Sequence, residues 1–169
     1  MGIMMKTSID ITGYFPGVIG QITTLHAVYY KKHWGLDHSF EAQVSRELSD
    51  FISHFDEKRD GLWNAVSGET LAGCIAIAGD RDRTGDARLR WYIVDPRRQG
   101  EGIGRTLITK AVDFSKTAGY KRIYLWTFKG LNQAQSIYER NGFRKAEVRD
   151  VEQWGGVIKE QMFELDLGI

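Results

Sequence analysis

The pattern of apolar and polar positions changes its period along the chain. Apolar residues recur every three or four positions from Ile19 to Tyr30 and again from Ser39 to Phe55, which is the spacing of amphipathic helices. A shorter segment, Thr7 to Thr12, alternates and predicts a strand before them. The amino-terminal third is therefore predicted to be one strand followed by two helices.

The middle of the chain has the shorter apolar runs that are typical of strands. Leu62 to Ser67 and Leu71 to Ala78 are joined by Gly68-Glu69, which predicts a hairpin. Leu89 to Val94 is a third β-prone run, and Asp95-Pro96 ends it because proline cannot continue a central strand. Three consecutive strands are therefore predicted here.

The last third returns to alternating helices and strands. A helix is predicted from about Gly102 to Ala118, with Gly119 as its C-terminal cap. A strand, a short helix and two strands that we expect to be antiparallel follow it: Ile123–Phe128, Leu131–Arg140, Phe143–Val148 and Val157–Leu165. The order β-α-α-β-β-β-α-β-α-β-β predicts an α/β (α+β) fold with one mixed sheet flanked by helices. Without repeats or linkers, residues 1–169 are expected to form one domain.

Composition and charge exclude several classes of protein. The chain is 42% hydrophobic and 27% charged, and no apolar run approaches the roughly 18 residues of a membrane span. Met1 to Asp10 lack the apolar core of a signal peptide, so a cytoplasmic protein without a membrane partner is expected. A net charge of +1 argues against nucleic acid as a partner. Residues 81–110 nevertheless hold eight basic and four acidic side chains, so an anionic ligand is expected there.

Cys74 is the only cysteine in the chain. It excludes an internal disulfide and a cysteine-based metal cage. Because it lies in the apolar run Leu71 to Ala78, a buried and inert thiol is predicted.

Three alternating glycines mark the junction between the third strand of the middle segment and the long helix. The junction reads Val94-Asp95-Pro96-Arg97-Arg98-Gln99-Gly100-Glu101-Gly102-Ile103-Gly104-Arg105. Backbone N–H groups without neighbouring side chains can approach a phosphate closely, and the helix dipole favours the same negative charge. The Gly-Lys-Ser/Thr of a Walker loop and the G-x-G-x-x-G of a dinucleotide fold are both absent. By themselves, the glycines are consistent with a phosphate loop or with a flexible turn.

Two motifs together resemble the GNAT N-acetyltransferases. Gln99-x-x-Gly102-x-Gly104, after a strand that ends in Val94-Asp95-Pro96, is similar to the acetyl-CoA loop of that family. Leu131-Asn132-x-Ala134-x-x-x-Tyr138-Glu139-x-x-Gly142-Phe143 is similar to its second motif, a helix that carries a tyrosine and ends in Gly-Phe. The resemblance covers roughly residues 7–167. It implies the GNAT acyl-CoA N-acyltransferase fold with a mostly antiparallel sheet, acetyl-CoA as cosubstrate, and no metal.

A closer resemblance is carried by three stretches. Ala87 to Pro96, Tyr124 to Phe128 and Gln153-Trp154-Gly155 resemble the acetyltransferase half of proteins that fuse a MarR-type DNA-binding domain to a GNAT domain. The segment before residue 12 is too short for a winged-helix module. DNA binding is therefore not expected of this sequence.

The GNAT resemblance also implies which residues hold the cosubstrate. Pantetheine would run beside the backbone of Ile93 and Val94, and the pyrophosphate would lie on the amides that follow. Those amides belong to Gln99, Gly100, Glu101, Gly102, Ile103, Gly104 and Arg105. Asn132 has two readings, a contact with CoA or a brace for its own helix. Arg98 and Arg105 could screen the phosphate charge or lie solvated at the surface.

Tyr138 is the catalytic residue that the resemblance implies. In the family the matching tyrosine donates its proton to the departing CoA thiolate, which is reasonable for a phenol of pKa near 10. The alternative is a core tyrosine whose hydroxyl lies at the rim of the packing.

A general base is not evident from the sequence. Many relatives place a glutamate on the strand before the loop, but Arg88 to Tyr92 contains no carboxylate. The candidates that remain are a water chain and the side chains of Glu41, Asp80, Asp82, His26 and His33.

Arg88, Arg90 and Tyr92 alternate along the strand and are predicted to project from one face. The two guanidiniums could hold a carboxylate of the acceptor. The preferred hypothesis is an internal ion pair with Asp80 or Asp82.

The sequence as a whole predicts an N-acetyltransferase that moves acetyl from acetyl-CoA to a primary amine by direct attack in a ternary complex. The partner would be a small-molecule or peptide amine, and GNAT relatives often form homodimers. The alternative is a non-catalytic CoA-binding sensor or interaction module, which the missing strand carboxylate would explain.

Overall fold

Seven strands and four α-helices follow one another in the order that the sequence predicts. The computed structural model describes residues 8–83 and 85–168. The elements are β1 (Asp10–Thr12), α1 (Val18–Trp34), α2 (His38–Ser53), β2 (Gly61–Ser67), β3 (Thr70–Gly79), β4 (Asp86–Val94), a 3₁₀ turn (Pro96–Arg98), α3 (Ile103–Thr117), β5 (Arg122–Phe128), α4 (Asn132–Arg140), β6 (Arg144–Gln153) and β7 (Gly156–Asp166). Thr7, the predicted start of the first strand, lies outside the described residues.

The strands form one sheet in the order β1-β2-β3-β4-β5-β7-β6. Neighbours pair antiparallel except β4 and β5, which are parallel and are connected by α3. The predicted fold class, a mixed and mostly antiparallel sheet flanked by helices, is confirmed. The expected antiparallel pairing of the last two strands is also correct.

Local sequence signals account for several helix ends. The Asp37 side chain accepts a hydrogen bond of 2.9 Å from the Ser39 N–H and so caps the start of α2. Gly119 follows α3 with φ of 84°, and its N–H donates to the Lys116 carbonyl at 3.1 Å. Glycine adopts this left-handed conformation without steric cost, as the predicted cap requires.

The sheet separates two clusters of buried apolar residues. On one face α1 and α2 pack on the sheet through Val18, Ile22, Phe40, Val44 and Leu48. On the other face α3 and α4 pack through Ile103, Leu107, Ile108, Ala111 and Tyr138. Burial on both faces explains why β3 reads as a nearly continuous apolar run rather than an alternating one.

A bulge interrupts β4 at Trp91, which has a φ of 47°. Arg90 pairs with Ala76 and Ile93 pairs with Cys74, so two residues of β4 stand opposite one residue of β3. The extra residue shifts the alternation of side chains beyond it.

The bulge corrects the predicted orientation of Tyr92. Trp91 packs in the cluster of α1 and α2, whereas Tyr92 packs against the cluster of α3 and α4. Arg90 lies on the α2 side, where it contacts Glu47. Tyr92 therefore projects from the face opposite to Arg90. The prediction placed both on one face because it assumed a regular strand without a bulge.

β4 and β5 separate soon after they begin. In the described chain they pair only over Asp86–Arg88 and Arg122–Tyr124. Arg122 ties this end together, since it bonds Asp86 of β4 at 2.6 Å and Glu164 of β7 at 3.2 Å. Beyond the join the two strands diverge and leave a cleft within the sheet.

Candidate active site

The cleft between β4 and β5 opens into a cavity of about 190 Å³. Side chains from both faces of the sheet reach it, because no strand closes the gap there. Most of its apolar wall is aromatic: Tyr30, Phe40, Trp91, Trp126, Phe128 and Trp154. The cavity is therefore shaped for a ligand with an apolar part.

The glycine loop lies at the carboxyl end of β4, directly before α3. Gly100 and Gly102 have φ of 82° and 81°, and a Cβ on either would meet no atom within 4 Å. Among the described residues, no side-chain cap bonds the start of helix α3, and its first turn contains no acidic residue. The segment from Gln99 to Arg105, called the cradle below, therefore has the open backbone that anion binding at a helix start requires, and its role as a binding site stays a prediction.

Gly104 has a different role from the other two glycines. It is buried, and a Cβ there would lie 2.8 Å from the Tyr92 hydroxyl and 3.6 Å from Val94 Cγ2. The Tyr92 hydroxyl donates a hydrogen bond of 2.9 Å to the Gly104 carbonyl. The missing side chain at Gly104 therefore allows α3 to approach β4 closely, and Ile93 and Val94 stand next to the helix start.

The other predicted cofactor residues lie around this cradle. Arg98 donates to the Glu101 carboxylate at 2.6 Å, so an internal partner already compensates the charge of this arginine. Arg105 is exposed in the first turn of α3. Asn132 is exposed in the first turn of α4, and its side chain has no hydrogen bond with any described residue, so both of its readings stay predictions.

Tyr138 of α4 lies at the wall of the cavity and is only 4% exposed. Its ring packs against Tyr92, Phe143 and Phe163 at centroid distances of 5.9, 5.7 and 5.7 Å. Its hydroxyl makes no hydrogen bond with any described residue. Burial raises the pKa of Tyr138 well above the ordinary value of 10, so the phenol keeps its proton. The ring is packed, as the core reading expects, and the residue also lines the cavity, so the catalytic reading stays a prediction.

Of the side chains predicted as general bases, one lines the cavity. His26 lines it, but Glu41, Asp80, Asp82 and His33 do not. Asp80 instead accepts a hydrogen bond of 2.7 Å from the Tyr124 hydroxyl.

His26 is held neutral in the cavity wall. Its Nδ1 lies 2.8 Å from the Ile22 carbonyl, so Nδ1 carries the proton and Nε2 is the acceptor. Burial lowers its pKa to about 4.

Two carboxylates that line the cavity were missed from the sequence. Glu47 of α2 contacts Arg90, and Glu160 of β7 is 6% exposed and accepts a bond of 2.9 Å from Arg149 Nε. Both occupy inward positions of their elements. Glu47 lies about one helical turn after Val44, and Glu160 lies two residues after Ile158. A charged residue at such an apolar position was the available signal.

The two arginines of β4 differ in their partners. Arg90 pairs with Glu47 and lies 4.1 Å over the Trp91 ring, so the predicted pairing with Asp80 or Asp82 is wrong. The prediction chose carboxylates close in sequence, whereas the true partner lies on α2 across the sheet face. Arg88 has no ion pair or hydrogen bond with any described residue.

Cys74 is fully buried, as predicted. Its Sγ donates to the Trp91 carbonyl at 3.1 Å, and burial raises the pKa of the thiol. Among residues 8–83 and 85–168, no group of three or more His, Cys, Asp and Glu side chains is arranged to hold a metal ion. None of the helices in these ranges combines the length and apolar character that crossing a bilayer requires.

Comparison with solved structures shows which proteins share this fold. Crystal structures with the same fold include an N-acetyltransferase of Staphylococcus aureus, which has a TM-score of 0.78 at 13% identity and covers 95% of this chain and 99% of that one. Another is yncA of Salmonella typhimurium, solved with its cofactor acetyl-CoA, with a TM-score of 0.72 at 13% identity over 94% of both chains. At such identities the likeness concerns the fold alone.

Sequence comparison gives the family. The profile of the Acetyltransferase (GNAT) family matches residues 22–143. An uncharacterized N-acetyltransferase of Methanocaldococcus jannaschii is 36% identical over 138 residues, which is 78% of this chain and 59% of that protein. Human N-acetyltransferase 8B is 24% identical over 147 residues, 83% of this chain and 64% of that protein. The chain belongs to the GNAT acetyltransferase family, and it spans about three fifths of the length of these two relatives.

Proposed function

We propose that the protein is an N-acetyltransferase that transfers the acetyl group of acetyl-CoA to a primary amine by direct attack in a ternary complex. The observation that carries this proposal is the divergence of β4 and β5. It connects the anion cradle at the start of α3 to a cavity that contains the Tyr138 side chain. A cosubstrate with a phosphate end and a thioester end fits such an arrangement.

The residues at the cradle fit acetyl-CoA. Gly100 and Gly102 leave open space beside uncapped helix N–H groups, which suits a pyrophosphate. Ile93 and Val94 belong to the part of β4 that has lost its β5 partner, so backbone groups there are free to hold the pantetheine amides. When bound, acetyl-CoA supplies the acetyl group, and the transfer forms an amide C–N bond and breaks the thioester C–S bond.

Tyr138 supplies a proton in this proposal. Its Oη holds a proton at all pH values below its raised pKa, and no described residue competes for that proton. A thiol has a pKa near 8.5, below that of the phenol, so the transfer is uphill; we therefore place it at the moment when the C–S bond breaks, with the phenol regaining its proton from water afterwards. The ring packing fixes the direction of the hydroxyl.

Glu47 and Glu160 are the carboxylates that could accept the proton of the amine, through water. Both line the cavity, where Glu47 pairs with Arg90 and Glu160 pairs with Arg149. Their presence weakens the alternative of a non-catalytic CoA sensor, because that alternative depended on the absence of a carboxylate from the strand.

The test has two stages. CoA at about a hundred times its dissociation constant should stabilise the fold by roughly 2.7 kcal/mol, measured as a shift in thermal unfolding. Acetyl-CoA turnover is then followed by thiol release with a panel of amino acids, polyamines, antibiotics and peptides. Stabilisation without turnover on any amine would favour the sensor, and no stabilisation would contradict both functions.

We further infer that residues 1–169 form one cytoplasmic domain, without a metal and without nucleic acid or membrane as a partner. The motifs at Ala87–Pro96, Tyr124–Phe128 and Gln153–Gly155 support kinship with the acetyltransferase half of MarR/GNAT fusions. A homodimer is the assembly that the family suggests, and light scattering would test it.

A further inference from the structure

Arg88 is an unpartnered cation in the wall of the cavity. Its Nε is enclosed by protein and has no hydrogen bond, and the guanidinium makes no ion pair with any described residue. A buried donor without an acceptor costs free energy, so native proteins rarely keep one unless something else satisfies the group. Because Nε is enclosed, the terminal Nη groups are the part of the guanidinium that a ligand in the cavity can meet.

The other charged side chains of the cavity are compensated. Arg90 is paired with Glu47, Glu160 is paired with Arg149, and His26 is neutral. Among the charged side chains that line the cavity, Arg88 is therefore the one without an ion-pair partner in the described residues. A guanidinium matches the two oxygens of a carboxylate, with which it forms two parallel charge-assisted hydrogen bonds.

We propose that the acceptor carries a carboxylate that binds Arg88 and an apolar side chain that packs on the aromatic wall, as a free apolar amino acid does. This proposal rests on the proposed function, because the amine of that acceptor must reach the same cavity as Tyr138. Arg88 and Tyr138 both line a space of about 190 Å³. An amine and a carboxylate of one small molecule can therefore meet both residues.

The aromatic wall is consistent with an acceptor that has an apolar side chain. Trp91, Trp126 and Trp154 line the cavity together with Phe40 and Phe128. The side chains of phenylalanine, leucine or methionine would bury apolar surface against this wall.

The experiment compares each acid with its amide. L-phenylalanine and L-phenylalaninamide, and the matching leucine and methionine pairs, are assayed by thiol release from acetyl-CoA. The amide has the less basic amine, so more of it is unprotonated near neutral pH, and a preference for the acid runs against amine reactivity. We expect kcat/KM for the acid to exceed that for the amide at least tenfold.

Three variants link this preference to Arg88. Arg88→Gln should raise KM for the acid about tenfold to a hundredfold, leave KM for acetyl-CoA unchanged and bring the acid-to-amide ratio near one. Arg88→Lys should keep part of the preference because it keeps the charge and loses the planar fork. Arg81→Gln is the matched control, since it removes the same charge from an exposed loop outside the cavity.

Thermal unfolding separates acceptor binding from a structural role. Arg88→Gln removes a group without partners, so its Tm should equal that of the parent or exceed it. Amides that react as well as acids, or a preference that survives in Arg88→Gln, would overturn the proposal. If CoA stabilises the protein but none of the amino acids is acetylated, the carboxylate proposal is also overturned. If CoA does not stabilise the protein, the proposed function itself is overturned.

Discussion

Replacing Tyr138 by Phe removes the hydroxyl oxygen and keeps the packed ring, so it distinguishes proton donation by the hydroxyl from packing by the ring. The ring contacts with Tyr92, Phe143 and Phe163 survive the change. The hydroxyl has no hydrogen bond with any described residue, so its loss leaves no broken pair. We expect the free energy of unfolding to change by less than about 0.5 kcal/mol, and turnover to fall roughly a hundredfold, the low end for general acid catalysis.

Tyr120→Phe is the matched control because Tyr120 is equally buried, at 3% exposure against 4%. Its hydroxyl donates to the Arg59 carbonyl at 2.6 Å, and it does not line the cavity. Removing that bond should cost about 1 kcal/mol, which corresponds to roughly 2–4 °C in Tm for a chain of this size. Turnover of Tyr120→Phe should equal that of the parent.

The assay measures kcat and both KM values by thiol release, and Tm by calorimetry, on the two variants and the parent. KM for acetyl-CoA should change little in Tyr138→Phe, because the proton is needed only when the thiolate leaves. Since the pKa of Tyr138 is raised, kcat of the parent should not fall through ionisation of this residue below about pH 10. Equal kcat for Tyr138→Phe and the parent would refute the proton-donor role and leave Tyr138 as a packing residue.

The remaining predictions concern the cradle, His26 and the Arg90 pair. Gly102→Val should abolish stabilisation by CoA in a thermal-shift assay, because it fills the cradle and strains a residue at φ of 81°, whereas Gly104→Val should already lower the Tm of the ligand-free protein through its contact with the Tyr92 hydroxyl. Burial lowers the pKa of His26, so its contribution to the free energy of unfolding is fully present above about pH 6.5 and should fall by up to about 3 kcal/mol as the pH drops towards 4. Urea titrations of the His26→Gln variant that show the same pH dependence would contradict the role of His26. Arg90→Gln should lower the Tm by a few degrees and reduce turnover alike for all acceptors, since its partner is Glu47; a selective loss for acidic acceptors would show that Arg90 binds substrate.

Elements with a clear apolar period were predicted to within a few residues. The long helix after the loop was expected from Gly102 to Ala118 and spans Ile103–Thr117. The edge strand β6 was expected to end at Val148 but continues to Gln153. Its residues are nearly all exposed and charged, so no apolar alternation marks its length.

The parts of the site that are contiguous in sequence were predictable, and the parts assembled across the fold were not. The loop from Gln99 to Arg105 and the motif around Tyr138 are local signals. Glu47 and Glu160 come from elements more than a hundred residues apart and line the same cavity where β4 and β5 diverge. The orientation of Tyr92 was missed because a bulge at a tryptophan has no sequence signal comparable to a glycine.

The short pairing between β4 and β5 divides the sheet into two parts, β1–β4 and β5–β7. Within the two parts, β2, β3 and β4 are joined by ladders of six or more residue pairs, and so are β5, β7 and β6. Only three pairs of described residues connect β4 to β5. Amide hydrogen exchange should therefore show two protected blocks, with the seam opening at a lower free energy than either. Arg122 bridges Asp86 and Glu164 at the joined end of β4 and β5, so the free energy at which this seam opens is expected to depend on its two ion pairs.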